Sequence, residues 1–234
     1  MKLCSRGSVA AVAFLSLLAS PDARADNIST CFGTTANGRL ENARELPSGG
    51  PNFSSYSTIG RMIGRTHVHS SVSAAVLAAY AAIEQTLPDR VFVYGETGKE
   101  DGGPFGPHKT HQNGLSVDFM VPVVDENGES VKLPTHVLNK WGYDLEFNDK
   151  GELDDLRIDF EAIAEHIYQL HRASKTLGGD LRRVILAPEL QRFLRSTKRW
   201  DYLERNVEFS QSRSWVRHDE HYHIDFDFPC EPLR

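Results

Sequence analysis

Cys31 and Cys230 stand near opposite ends of the chain that remains once an N-terminal leader is set aside. A bond between them obliges any fold to bring its last residues back to its first. The leader, residues 1–25, has Lys2 and Arg6 ahead of an apolar run from Val9 to Ala19, then the small-residue pattern Ala23-Arg24-Ala25. This is the pattern of a cleavable secretory signal. The apolar run is well short of the roughly 20 residues that span a membrane, and no later segment is long and apolar enough to try. Cys4 lies inside the leader, away from the cleavage point, so no lipid anchor is expected. An exported chain meets an oxidising compartment, where two remaining cysteines are expected to pair. A loop of about 200 residues would then be closed, worth up to about 5 kcal/mol of chain entropy.

Residues 26–234 fit one domain with a substantial core. Without the leader, Lys plus Arg falls from 26 to 23 and Asp plus Glu from 32 to 31, for a net charge of −8. Such acidity argues against nucleic acid as the main partner. The charge is uneven: Asp144 to Glu165 is strongly acidic, and Arg172 to Arg217 holds eleven bases against five acids. A basic flank of this kind can face an anionic substrate or simply be solvated.

Asp26 to Ser57 is rich in Gly, Ser, Asn and Pro and reads as an irregular lead-in. Ser71 to Leu87 lacks Gly and Pro, places Val72, Ala75, Val76 and Ala79 at helical spacing and stops at Pro88, which predicts a helix. Arg90 to Tyr94 predicts a short buried strand, followed by the breaker-rich stretch GETGKEDGGPFGPHKTHQNG. Long Gly-rich loops of this kind often carry sites. Leu115 to Val124 alternates as a strand, with Ser116 and Asp118 on one face, fed by the Asn113-Gly114 turn. A second amphipathic helix is expected from Ile158 to Leu170, beginning near Asp159. A strand follows at Val184 to Leu186, a Pro-opened helix at Pro188 to Thr197, and a last strand at His221 to Phe228. This order predicts an α+β fold with a largely antiparallel central sheet flanked by helices.

Five of the ten histidines fall in two short windows, His108 and His111 in HKTH and His218, His221 and His223 in HDEHYH. Several convergent imidazoles repel one another when protonated, so such clustering points to a metal. Zinc takes His nitrogen and carboxylate oxygen, and a catalytic site keeps three protein ligands and one open place. His111 precedes the Asn113-Gly114 turn and Asp118 follows it, so the chain can fold back to aim both at one point. His221 and His223 share a strand face; one can bind metal while the other stands beside it. No Cys lies in either window, which excludes a thiolate site. Trp215 is placed to line a groove or to pack in the core. His67, His69, His136, His166 and His171 show no partner pattern and are expected on the surface or on helices. Asp225 shares the face of His223 and can orient a ligand.

The run GPHKTHQNGLSVDF resembles the signature of penicillin-insensitive murein endopeptidases, roughly G-H-x-S-H-Q-x-G-L-x-V-D, and WVRHDEHYHIDF resembles their closing W-x-x-H-x-x-H-x-H. Pro107 stands between the Gly and His108, and Thr110 replaces the usual Ser. The family belongs to a wider zinc peptidase group with lysostaphin-like enzymes, D-Ala-D-Ala peptidases and hedgehog domains. The resemblance implies that group's fold, and His111, Asp118 and His223 as ligands of one Zn2+, with a second metal as an alternative. It also implies a Cys31–Cys230 link, peptidoglycan stem peptides as substrate and a periplasmic location. The activity implied is hydrolysis of the D-Ala to diaminopimelate cross-link. A carboxypeptidase or dipeptidase acting on uncross-linked stems, and a zinc-stabilised binding domain without turnover, are the alternatives.

The general base stays open among His221, Glu220 and His218. Strand parity favours His221, because Glu220 would face the opposite side if the strand already included it; a turn at His218 to Glu220 would remove that objection. His108 is a candidate for substrate contact, for orienting His111, or for an extra metal bond.

Overall fold

The Ala-rich segment with helical spacing forms a helix, α1 (Ser70–Thr86), in the computed structural model, which describes residues 28–212, 214 and 216–233. The leader and Trp215 lie outside the described residues. The His69 ring nitrogen Nδ1 accepts the Ser71 N–H at the start of α1, and Pro88 stands just past its end. Val72, Ala75, Val76, Ala79, Tyr80 and Ile83 form its buried face. A second long helix, α2 (Phe160–Thr176), is opened by Asp159, whose carboxylate accepts the Ala162 N–H at 3.0 Å, satisfying one of the free donors of the first turn. It starts two residues later than the apolar spacing suggests, because Ile158 ends the preceding strand, and it runs on past Leu170.

The two helices pack against each other and cover one face of a five-stranded sheet. Its strands are β1 (Phe53–Ser55), β2 (Phe92–Tyr94), β3 (Ser116–Met120), β4 (Asp180–Ile185) and β5 (His221–Asp227), in the order β4-β5-β3-β2-β1. Only the β1–β2 pair is parallel; the others are antiparallel. The architecture is α+β and largely antiparallel, as the element order predicts. Tyr80 of α1 and His166 of α2 meet Phe119 of β3, so Phe119 and Tyr222 point to the helices. Asp118, His221 and His223 therefore point to the other face.

Three elements differ from the sequence reading. The Gly-rich lead-in holds a hairpin, Thr30–Thr34 with Asn37–Glu41, and contributes β1 to the central sheet. Its alternation is carried by Gly38 and Leu40 alone, too few apolar residues to register as a strand. The strand expected over Leu115 to Val124 is broken at Pro122. Val123–Val124 leave to pair with Ser130–Val131 and Leu156–Ile158 in a separate small sheet. The helix expected over Pro188 to Thr197 is one α turn, Pro188–Gln191, followed by a 3-10 turn, Arg192–Ser196.

Cys31 and Cys230 are bonded. Beside them Gly33 N–H donates to the Glu231 carbonyl and Glu231 N–H to the Cys31 carbonyl, both at 2.8 Å. The hairpin is thereby clamped to the segment that leaves β5. Among the described residues no helix is long and apolar enough to cross a membrane.

Cys31→Ser with Cys230→Ser is expected to lower unfolding free energy by about 2–5 kcal/mol in denaturant titrations, since the bond closes 199 residues of sequence. His166 supplies a second test. It is fully buried, stacked on Tyr80 at 4.9 Å, and burial pushes its pKa down to about 3. The unfolded chain, with a histidine pKa near 6.5, takes up a proton on acidification that the folded protein refuses. Stability from this group is therefore lost as pH falls from about 6.5 towards 3, at up to about 1.4 kcal/mol per pH unit. His166→Gln is expected to flatten that acid limb.

Candidate metal centre

The site is built on the β3–β5 pair at the middle of the sheet. Register sets Asp118 opposite His223, Ser116 opposite Asp225 and Met120 opposite His221, and cross-strand partners share a face. The Asp118 carboxylate is completely buried, with Oδ1 2.8 Å from His223 Nδ1 and 3.3 Å from His111 Nε2. Its Oδ2 lies 3.7 Å from His108 Nδ1 and 3.8 Å from His221 Nε2. Both histidine windows thus converge on one carboxylate.

Each imidazole is turned by an acceptor on its far side. His111 sits in a left-handed conformation, φ +70°, and its Nδ1–H donates to the Thr97 carbonyl at 2.9 Å. That tautomer leaves an Nε2 lone pair facing inward, and Nε2 is buried with no hydrogen-bond partner. His108 Nε2–H donates to Glu96 at 2.7 Å, leaving Nδ1 inward. His221 Nδ1–H donates to Glu220 at 2.8 Å, leaving Nε2 inward. His223 Nε2–H donates to Asp225 at 2.8 Å, leaving Nδ1 against Asp118. Carboxylate or carbonyl groups behind metal-binding histidines act in this way, fixing tautomer and aim.

The electrostatics match a cation. Burial lowers the His111 pKa against the pull of Asp118, which favours the neutral ring, the form that binds metal. Burial works against charge on Asp118, yet His111, His221 and His223 hold it ionised, well below the usual carboxylate range. At His223 burial is outweighed by Asp225 and Asp118, which raise its pKa to about 10. An inward lone pair 2.8 Å from a carboxylate oxygen calls for a positive charge there, either a proton or a metal ion. The donor atoms of His108, His111 and Asp118 lie within 4.8 Å of one another, a group able to hold a metal. His223 reaches the same carboxylate through Nδ1.

His218 and Glu220 lie in the turn before β5. His218 is left-handed, φ +59°, with Nδ1–H donating to the Val216 carbonyl at 3.0 Å and its ring 4.6 Å from that of His221. Burial, then the neighbouring His221, lowers its pKa to about 3. Glu220 lies behind His221, on the side away from Asp118. At His221 the Glu220 and Asp118 charges outweigh burial and raise its pKa.

Two participants carry no sequence signal. Glu96 follows β2 in the breaker-rich loop and accepts from Arg65, from His108 and from the Tyr56 hydroxyl at 3.0 Å. Burial opposes its charge, but His108 and Arg65 bring its pKa down to about 2. Tyr143 donates to Asp118 Oδ2 at 3.0 Å and accepts the Glu96 N–H at 2.8 Å. This contact requires Gly95, where a Cβ would stand 2.5 Å from the Tyr143 oxygen. Neither spacing nor residue type singles out these positions, since three separate loops bring them together. Asp225 does hold His223, with Ser116 and Arg183 donating to it at 2.7 and 2.6 Å. Of the histidines outside the two windows, His136 is exposed and His67 half-buried, His166 and His171 lie on α2 with their rings inward, and His69 is buried and caps α1.

A His/His/Asp group able to hold a metal stands on this antiparallel sheet, as a metallopeptidase requires. The sequence matches the family model of penicillin-insensitive murein endopeptidases over residues 31–232, and the chain belongs to that family. No curated protein matches the sequence at a significant level. The family acts on peptidoglycan, in agreement with the resemblance of the two histidine motifs.

Glu96→Gln, which keeps the side-chain shape and removes the charge behind His108, is expected to weaken divalent-metal affinity about 10–100-fold. Competition with a coloured chelator measures this.

Proposed function

We propose that this protein is a zinc-dependent, periplasmic endopeptidase that hydrolyses the D-Ala to diaminopimelate cross-link between peptidoglycan stem peptides. The observation that carries the reading is the set of inward lone pairs on His111, His223 and His108 around the ionised Asp118. Nitrogen and oxygen donors without thiolate suit zinc. We assign His111, Asp118 and His223 as ligands of one ion, with His108 adjacent to it. A zinc ion bound here supplies the Lewis acidity that makes a peptide carbonyl open to attack by water at neutral pH.

The remaining chemistry belongs to the chain. His221 is the general base: its Nε2 lone pair faces the centre, placed to take a proton from the attacking water and return it to the leaving amine. Glu220 is a positioning residue, fixing the His221 tautomer from behind. The turn at His218 to Glu220 does remove the parity objection, yet it spends the Glu220 carboxylate on His221. His218 is neutral at neutral pH, and its Nδ1–H is engaged by Val216, so its Nε2 can accept a substrate N–H and orient the peptide.

Digestion of purified cross-linked muropeptides, read by mass, tests the assignment. Monomers are expected with zinc and none after chelation; release of free D-Ala from uncross-linked stems instead would overturn it. His111→Ala and Asp118→Ala are expected to abolish stoichiometric zinc retention along with activity. His221→Ala is expected to keep the metal and lose turnover by about 10²–10⁴-fold. Glu220→Gln removes a negative charge that raises the His221 pKa, so the acid limb of the pH–rate profile should move to lower pH.

A further inference from the structure

The two oxygens of Asp118 stand in different surroundings. Oδ1 lies 2.8 Å from His223 Nδ1 and 3.3 Å from His111 Nε2, and both nitrogens turn lone pairs inward. A cation shared by His111, His223 and this carboxylate therefore meets Oδ1. Oδ2 lies 3.7 Å from His108 Nδ1 and 3.8 Å from His221 Nε2, beyond hydrogen-bond reach. Those nitrogens also face inward without a proton, because Glu96 and Glu220 accept the ring N–H groups on the far side. The Tyr143 hydroxyl, at 3.0 Å, is the one donor to Oδ2 among the described residues.

The direction of that bond is fixed by its neighbours. A phenol has one proton to give, and an ionised carboxylate only accepts. The Glu96 N–H donates to the Tyr143 oxygen at 2.8 Å, so the hydroxyl proton goes to Oδ2. The Tyr143 ring is held between those of His221 at 5.0 Å, His108 at 5.9 Å and Tyr56 at 6.1 Å.

The chain brings this hydroxyl in on a strained turn. In the 3-10 turn Val137–Gly142, just before Tyr143, Lys140 and Trp141 have φ of +49° and +58°. Two successive residues with a Cβ in the left-handed region persist only where the surroundings hold them. Asn139, buried, does so: its Oδ1 accepts the His136 and Gly142 N–H groups at 3.0 and 2.9 Å, and its Nδ2 donates to the Pro134 carbonyl at 2.8 Å.

We propose that Tyr143 is a positioning residue for the metal: by reserving Oδ2, it makes Asp118 a ligand through Oδ1 alone. A carboxylate can bind a metal ion through one oxygen or through both. A second Asp118 oxygen would fill the place that a catalytic site keeps open for water or substrate, and the Tyr143 hydroxyl keeps it out. The inference rests on the reading of Asp118 as a metal ligand and adds to it the residue that decides how that ligand binds.

Cobalt(II) in place of zinc provides the test, since its visible bands weaken as its coordination number rises. Tyr143→Phe is expected to hold one cobalt per chain and to absorb about two-fold less per ion than the intact protein, as Oδ2 joins the coordination. Asn139→Ala loosens the turn and leaves every group at the centre in place, and should shift the bands the same way by a smaller amount. A merely structural role for Tyr143 would lower the melting temperature of both variants and leave the bands unchanged, and that result overturns the proposal. Loss of cobalt from a folded Tyr143→Phe protein overturns it as well. Asp118→Ala separates the two readings. If the intact protein binds no cobalt, or Asp118→Ala keeps it with an unchanged spectrum, the metal-ligand reading fails and takes this inference with it. Unchanged bands in Tyr143→Phe beside loss of cobalt from Asp118→Ala sink the inference alone.

Discussion

The ionised carboxylate of Asp118, wholly buried at the middle of the sheet, is the interaction on which the rest of the site depends. Burying a lone charge costs several kcal/mol unless opposite charge and hydrogen bonds surround it. The Tyr143 hydroxyl donates to it, and four imidazoles, from one loop and from β5, turn towards it the lone pairs that a cation between them would need. The β3–β5 register is therefore the decisive geometric constraint. A slip of one residue would turn Asp118 and His223 towards α1 and α2 and present Phe119 and Tyr222 to the centre.

Around that carboxylate the chain arranges outward acceptors so that each histidine offers one lone pair inward. Asp225 comes from the same strand as the ring it holds, Glu220 from the adjoining turn, and Glu96 and Thr97 from the loop after β2. This precision needs a stiff support. Every residue of β3 is buried, with the helices packed on one face and the loops on the other. The left-handed backbones of His111 and His218 are strained conformations for residues with a Cβ, and they occur here at two members of the site. Each has its ring tied to a backbone carbonyl that holds it there.

The charge asymmetry of the sequence resolves into pairs. Asp159 meets Arg90, and Glu165 meets Arg199, each across segments distant in the chain. The acidic and basic runs that look like opposed patches in one dimension thus meet at some points in three, as Glu161 with Lys198 and Glu146 with Arg217 also show. The bulge in β4 leaves Arg182 exposed, with no ion pair among the described residues.

Much was legible beforehand. The helix α1, the core of β3 and β5, the α+β class, the disulfide and the convergence of the two histidine windows on Asp118 all follow from periodicity, breakers, cysteine count and the donor chemistry of His and Asp. These are local or compositional properties, and a linear pattern carries them. The tertiary structure alone decided which atoms meet. It built β1 and a hairpin from a Gly-rich lead-in with almost no alternation, and it broke an expected strand at Pro122. It also placed Glu96 and Tyr143 against the site and turned Glu220 behind His221. Those outcomes depend on loops far apart in sequence closing on a buried charge, and residue spacing holds no record of which distant acceptor will stand behind a given ring.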